Sequence, residues 1–82
     1  MTLADLRDRL DAAECGKHDQ VIVLIEACLS EKSRPGREIV RTVSALGFDK
    51  RHVGIQLQRH TGLNVERHRW FKDTAGRYHL LT

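Results

Sequence analysis

Positively charged and amide side chains recur between residues 50 and 59 in a pattern that suits contact with a polyanion. Arg51 and Arg59 supply guanidinium groups, and Gln58 supplies an amide. A guanidinium donates paired hydrogen bonds to a phosphate or to a guanine base edge, and an amide pairs with adenine. Helical spacing turns Val53 and Leu57 inward. The residues then expected on the outer, base-facing side are Arg51, His52, Ile55, Gln58 and Arg59, with Gln56 near the boundary.

A second basic group flanks a turn near the end of the chain. Residues 67–81 predict a β-hairpin with 73–76 as its turn, and Lys72 and Arg77 stand on either side of it. In the expected register Phe71 lies opposite Tyr78, and one more residue in the turn would reverse part of the face assignment. The residues expected to face the core are Phe71, Tyr78 and Leu80, and those expected on the other face are Trp70, Lys72, Arg77 and His79.

Trp70 has two interpretations, which differ in the face that it takes in the hairpin. If it points outward, its indole can stack on a sugar or a base. If the register shifts, the indole belongs to the core, and tryptophan is highly buried on average in proteins. Trp70 is therefore a candidate stacking residue whose orientation the sequence leaves open.

Charge is divided unevenly along the chain. Residues 1–33 carry four Lys or Arg against seven Asp or Glu, whereas residues 34–82 carry ten against four, which gives net charges of −3 and +6. Such a division suggests one surface for a polyanion and another that avoids it. The alternative is two solvated faces without a partner. The residues expected to contact phosphate are Arg34, Arg37, Lys50, Lys72 and Arg77.

Four helices are predicted before the hairpin. Thr2 can cap the first, with Asp5 at the capping-box spacing, and Gly16 is expected to end it in a left-handed conformation. Asp19 is expected to cap the second helix. Its apolar pattern continues from Val21 to Leu29, which is long for a single buried strand and favours a helix.

The third and fourth helices are predicted to be joined by a short turn. A loop over residues 30–36 precedes the third helix, and Gly47 is expected to end it. Phe48 is then expected to fold back onto the core, and Asp49 to cap the fourth helix, which closes at Gly62. A helix-turn-helix of this kind lets its second helix protrude from the domain.

This order of elements resembles the winged helix-turn-helix superfamily over about residues 19–81. The resemblance implies a mainly α fold with a C-terminal β-hairpin and an additional N-terminal helix. It implies one domain over residues 1–82, with 1–17 as an N-terminal helical extension and 18–82 as the winged-helix core. The chain departs from the superfamily pattern in its short wing, in its acidic first helix and in Gly54 within the fourth helix.

In that superfamily the last helix usually enters the major groove of DNA, and the wing contacts the backbone or the minor groove. The resemblance therefore makes Arg51, His52, Gln58 and Arg59 the expected readers of bases. Lys72 and Arg77 become the expected phosphate contacts of the wing. Gly54 permits close approach of a neighbouring backbone, at a cost of about 1 kcal/mol of helix propensity relative to alanine.

The function expected from these observations is binding of double-stranded DNA by a small transcriptional regulator, cytoplasmic and associated with the nucleoid. The alternative is a protein–protein interaction module on the same scaffold without DNA binding, and RNA binding is a weaker third candidate. The first helix could form a homodimer or contact a partner protein through Leu3, Leu6 and Leu10, or pack on its own domain. Packing on its own domain is favoured because so small a core needs the area.

Other classes of function find little support in the sequence. Cys15, His18 and Cys28 lack the close ligand pairs of a structural zinc site, so neither a metal nor another cofactor is expected. Phosphate loops and nucleophile motifs are missing, so the chain is not expected to be an enzyme or to bind a small molecule. Apolar runs are too short for a membrane span, the first residues lack the pattern of a signal peptide, and two cysteines suit a reducing compartment.

Overall fold

Four helices and a three-stranded antiparallel sheet make up the fold. The computed structural model describes residues 2–81, so Met1 and Thr82, which the predicted domain includes, lie outside the described residues. None of the described helices is long and apolar enough to cross a membrane. The elements in chain order are α1 (Leu3–Ala12), α2 (Lys17–Glu31), β1 (Arg34–Pro35), α3 (Gly36–Ser44), α4 (Lys50–Arg59), β2 (Trp70–Lys72) and β3 (Arg77–Leu80).

The boundary between α1 and α2 differs from the sequence prediction. The capping box is confirmed, because the Thr2 hydroxyl accepts from the Asp5 amide and the Asp5 carboxylate accepts from the Thr2 amide. The left-handed residue after α1 is Glu14, with φ of 59°, and Gly16 instead takes an extended conformation as the N-cap of α2. Asp19 therefore lies inside the first turn of α2. Its negative charge there still stabilises the helix, because it interacts favourably with the positive end of the helix dipole.

The core is organised around α2. The predicted helix over residues 21–29 is confirmed, and α2 buries side chains against α1, α3, α4 and β3. Burial of each such aliphatic side chain stabilises the folded state by about 1.5–3 kcal/mol relative to leaving it exposed to water. From α1, Leu3, Leu6 and Leu10 pack against this core, so the apolar face of α1 is used within its own domain. The core side chains with no exposed surface include Val21, Leu24, Ile25, Ile39, Val43, Val53 and Trp70.

The turn between α3 and α4 has the predicted glycine, although α3 ends earlier than predicted, at Ser44 with Ala45 as its C-cap. Gly47 has φ of 107°, a conformation that glycine adopts without the Cβ clash of other residues. Phe48 packs against the core, and the Asp49 carboxylate caps α4 by accepting from the Arg51 amide at 2.9 Å. The end of α4 was predicted wrongly, since its C-cap is His60 rather than Gly62.

The sheet contains a strand that the sequence did not predict. β1 pairs with β3, which pairs with β2, giving the order β1-β3-β2. The strand opposite β3 is only Arg34–Pro35, inside the segment predicted to be a loop. A two-residue strand carries no alternating pattern, and proline removes one ladder donor, so only the pairing with β3 defines it.

The hairpin register is shifted by one residue from the predicted one. Trp70 pairs with Leu80, Phe71 with His79, and Lys72 with Tyr78. The shift arises because the Asp73 amide donates to the Arg77 carbonyl, leaving three residues in the loop with Gly76 at φ of 85°. This is the geometry of a hairpin with a glycine bulge. The corrected face towards the core carries Trp70, Tyr78 and Leu80, whereas Phe71 stacks on His79 with 5.0 Å between ring centroids.

Candidate nucleic-acid interface

One side of α4 presents polar and cationic side chains to solvent. Arg51, Gln58 and Arg59 are exposed, and Ile55 is 47% exposed. The opposite side of the helix buries Val53, Gln56 and Leu57. Four of the five residues predicted to face bases are therefore available to a partner on one helical surface.

His52 does not belong to this exposed surface. It is half-buried, its ring centroid lies 6.0 Å from that of His18, and its Nε2 is shielded from solvent without a hydrogen-bond partner in the described residues. Successive residues of an α-helix differ by about 100° in direction, so Arg51 and His52 cannot both occupy a narrow face. The prediction that His52 contacts bases is not supported by this placement, which turns the imidazole towards α2.

Arg34 is also placed differently from the prediction. Its side chain is only 15% exposed, with nitrogens 2.9 Å from Glu31 and 3.6 Å from Glu38. Binding of a phosphate there would require Arg34 to leave two carboxylates. Arg34 therefore joins the end of α2 to the start of α3, and it does not extend the cationic surface.

Trp70 cannot stack on a base in this fold. It has no exposed surface, and its Nε1 donates to the Leu57 carbonyl at 2.7 Å and to the Thr61 hydroxyl at 3.1 Å. The shifted register places its indole in the core, which corrects the interpretation of Trp70 as a stacking residue. Its hydrogen bonds instead fix the hairpin against the end of α4.

The hairpin keeps its cations exposed. The guanidinium of Arg77 donates to the Ser33 carbonyl at 2.7 Å, which holds the side chain in place without neutralising it. Lys72 is exposed, with its Nζ 6.0 Å from the centre of the Tyr78 ring. Both residues predicted as phosphate contacts of the hairpin are therefore in a state to act as such.

Most of the predicted contact residues carry charges that no carboxylate offsets. Within residues 2–81, the described ion pairs join Arg7 to Asp8, Arg34 to Glu31 and Glu38, Arg69 to Glu26, and His79 to Asp73. Exposed cations that have no carboxylate oxygen within 4.0 Å in that part of the chain include Arg37, Lys50, Arg51, Arg59, Lys72 and Arg77.

An open groove of about 580 Å³ runs between α4 and the hairpin. Its walls include no carboxylate, unlike the groove on the other side of the hairpin, which Glu26 and Glu66 line. Tyr78 and Thr61 also line this groove, although the sequence predicted Tyr78 only as a core-facing residue and assigned no role to Thr61. The lining residues are Gly36, Gly54, Leu57, Gln58, Thr61, Lys72 and Tyr78.

Two ionisable groups near this region have shifted pKa values. Burial lowers the pKa of the His60 imidazole below its usual 6.5, and the positive charge of Arg69 adds to the effect. The hydrogen bond from His79 lowers the pKa of Asp73 below 3.8, aided by the backbone amides of Arg77 and Ala75. Asp73 therefore stays anionic and organises the hairpin turn, while His60 favours its neutral form.

Metal ligands do not converge in the described part of the chain: no group of three or more His, Cys, Asp or Glu there could hold a metal ion. Comparisons of the chain with protein-family models, curated proteins and solved structures found no match. The case for a function therefore rests on the burial, charge and geometry of this chain.

Proposed function

We propose that this protein binds double-stranded DNA as a winged helix-turn-helix domain, with α4 in the major groove and the hairpin on the phosphate backbone. The order α2-β1-α3-α4-β2-β3 and the sheet order β1-β3-β2 are consistent with that fold. A small transcriptional regulator associated with the nucleoid is the role that suits such a domain.

The observation that carries the proposal is the coincidence of exposed α4 residues with cations that lack carboxylate partners. Arg51 and Gln58 present the donors that pair with guanine and adenine, and Ile55 can meet a thymine methyl group. Around them, cations on α3, α4 and the hairpin can neutralise phosphates and release counterions. Acidic side chains are concentrated instead on α1, where Asp5, Asp8 and Asp11 are exposed.

The salt dependence of binding tests the proposal directly. If the four cations assigned to phosphate, Arg37, Lys50, Lys72 and Arg77, each contact one, log affinity should fall with log salt concentration with a slope of about −3.6. That slope corresponds to about 150-fold weaker binding at 200 mM than at 50 mM salt. Fluorescence anisotropy with random duplex DNA measures it, with duplex RNA and single strands as competitors. Affinity that stays constant over this range would overturn the proposal.

Single variants separate base reading from phosphate contact. Arg51→Ala should lower affinity for a sequence selected from a random pool about tenfold and relax preference at one base pair. Lys72→Ala should weaken all sequences alike and reduce the salt slope by about one. Arg9→Ala removes an exposed arginine from α1 and is the matched control. Equal behaviour of all three variants would mean that the recognition surface lies elsewhere.

A protein-interaction module is the second candidate, favoured by one observation. Leu63 is 82% exposed and Val65 is 70% exposed on the connection between α4 and β2. Exposed apolar side chains that lie close together often mark a protein interface. Sedimentation at rising concentration tests this candidate: self-association that Leu63→Ser and Val65→Ser abolish, without salt-dependent DNA binding, would replace the first proposal.

A further inference from the structure

Gly54 lies inside α4, where glycine is the poorest helix former after proline. The positive-φ glycines of the described chain are Gly47 and Gly76, so Gly54 is not required by its backbone conformation. Packing does not require it either. Apart from the backbone of its own helix and its chain neighbours, no atom lies within 4 Å of the position that a Cβ would take.

The position contrasts with Gly36, where a Cβ would lie 3.0 Å from the Tyr78 ring. At Gly36 the described chain itself explains the glycine, and at Gly54 it does not. A glycine that costs helix stability without serving the fold points to close approach by something outside the chain.

Gly54 opens into the groove between α4 and the hairpin. Gln58 lies four residues along the same helix, and Lys72 forms part of the opposite wall. Since the groove walls carry an ammonium group and no carboxylate, they favour an anionic occupant. Lys50 and Arg51, both exposed in the first turn of α4, extend this positive surface beyond the groove.

We propose that this groove holds the sugar–phosphate backbone of one DNA strand, and that Gly54 is where the strand approaches the axis of α4 most closely. The inference rests on the proposed DNA binding and adds the path of one strand. Lys72 and the amide of Gln58 would contact the strand from the two walls. Any side chain at position 54 would hold the strand away from them.

A substitution series at position 54 tests the inference, because it separates stability from binding. Gly54→Ala and Gly54→Gln should both raise the unfolding midpoint, by about 4 °C or more, since both residues are better helix formers. Affinity for duplex DNA should fall about threefold for Gly54→Ala and more than tenfold for Gly54→Gln, because the added atoms occupy the path of the strand. Ala4→Gln adds the same side chain to an exposed position of α1 and should leave affinity unchanged.

The outcomes distinguish this inference from the function on which it rests. If the wild-type protein fails to bind duplex DNA with a salt-dependent affinity, the proposed function is wrong. If it binds and Gly54→Gln binds equally tightly, only the path of the strand is wrong. If the variants are less stable than the wild type, the fold itself needs the glycine and the inference is overturned.

A double-substitution cycle gives an independent measurement. If Gly54→Gln displaces the strand, the further loss from Lys72→Ala should be smaller in that background than in the wild type, because the lysine has already lost its phosphate. If Lys72→Ala lowers affinity by the same factor in both backgrounds, Lys72 and position 54 face different parts of the DNA. That result would overturn the proposal that both line the path of one strand.

Discussion

Trp70 shows how one side chain can decide between a binding role and a structural one. The hydrogen bonds from its indole satisfy the only polar atom of this side chain, which has no exposed surface and belongs to the hydrophobic core. His60 packs edge-on against the same ring, with 6.0 Å between centroids. Together these contacts make Trp70 the residue through which the hairpin is anchored to α4.

Trp70→Phe should therefore destabilise the domain. The substitution leaves a cavity and removes the two hydrogen bonds of the indole, which together should lower the free energy of unfolding by about 2–3 kcal/mol, although the Thr61 hydroxyl still donates to the Leu57 carbonyl. Urea denaturation measures the change. Phe71→Leu is the control, because Phe71 is a half-buried ring that donates no hydrogen bond and lies on the other face of the hairpin from Trp70. It should lower the free energy of unfolding by only about 1 kcal/mol. Equal losses for the two variants would contradict the anchoring role of Trp70.

At the scale of elements, the hairpin depends on a turn built from local hydrogen bonds. The Asp73 carboxylate accepts from the amides of Ala75 and Arg77, each at 2.9 Å, and from His79 at 2.7 Å. Gly76 completes the turn in a left-handed conformation. The exposed positions of Lys72 and Arg77 follow from this turn, so its geometry sets the cationic tip.

Gly76→Ala should strain this turn, because an L-residue at φ of 85° brings its Cβ against the neighbouring carbonyl. We expect a loss of about 1–2 kcal/mol in the free energy of unfolding, measured by chemical denaturation. Thr74→Ala changes an exposed residue in the same turn and should cost less than about 0.5 kcal/mol. A Gly76→Ala variant as stable as Thr74→Ala would argue against the bulge.

The distance along the chain between interacting residues determines which elements the sequence could predict. Helix starts at Thr2 and Asp49 depend on side chains within three residues of the amides that they cap, so local patterns suffice. β1 depends on a partner strand more than 40 residues away, and the hairpin register depends on one bulged residue. Tertiary pairing of this kind leaves almost no local signal, and the error at Trp70 follows from it, whereas the carboxylates that hold Arg34 lie only three and four residues away in the sequence.

For the molecule as a whole, charge and burial combine to make stability depend on pH. His60 lies among Arg69, His18 and Arg59, with Glu26 acting in the opposite direction on its pKa. Because its pKa is lower in the folded state, the unfolded chain takes up a proton first as pH falls. The stability that neutral His60 contributes to the fold is fully present above about pH 6.5. It is lost as the pH falls from there through the lower pKa of His60 in the folded state. Asp73 causes a second loss of stability, which begins below pH 3.8 and continues as the pH falls through the lowered pKa of this carboxylate in the folded state.

The unfolding midpoint in urea should therefore be lower at pH 5.5 than at pH 7.5, and His60→Gln should reduce that difference, because glutamine does not titrate. His68→Gln serves as the control. It removes an imidazole that accepts from the Asn64 amide and is not part of the His18–His60 pair. Midpoints that change with pH equally in both variants and in the wild type would assign the effect to other groups.

The pairing of β1 with β3 also bears on how the chain reaches this fold. Arg34 pairs with Tyr78, which lies 44 residues later in the sequence. Trp70 completes a core whose other buried members all precede residue 58. All four helices precede Trp70 in the chain, so the core lacks this side chain until β2 docks against the end of α4. Closure of the sheet thus requires a long loop to be ordered, so we expect β3 to dock late in folding, after the local helices have formed.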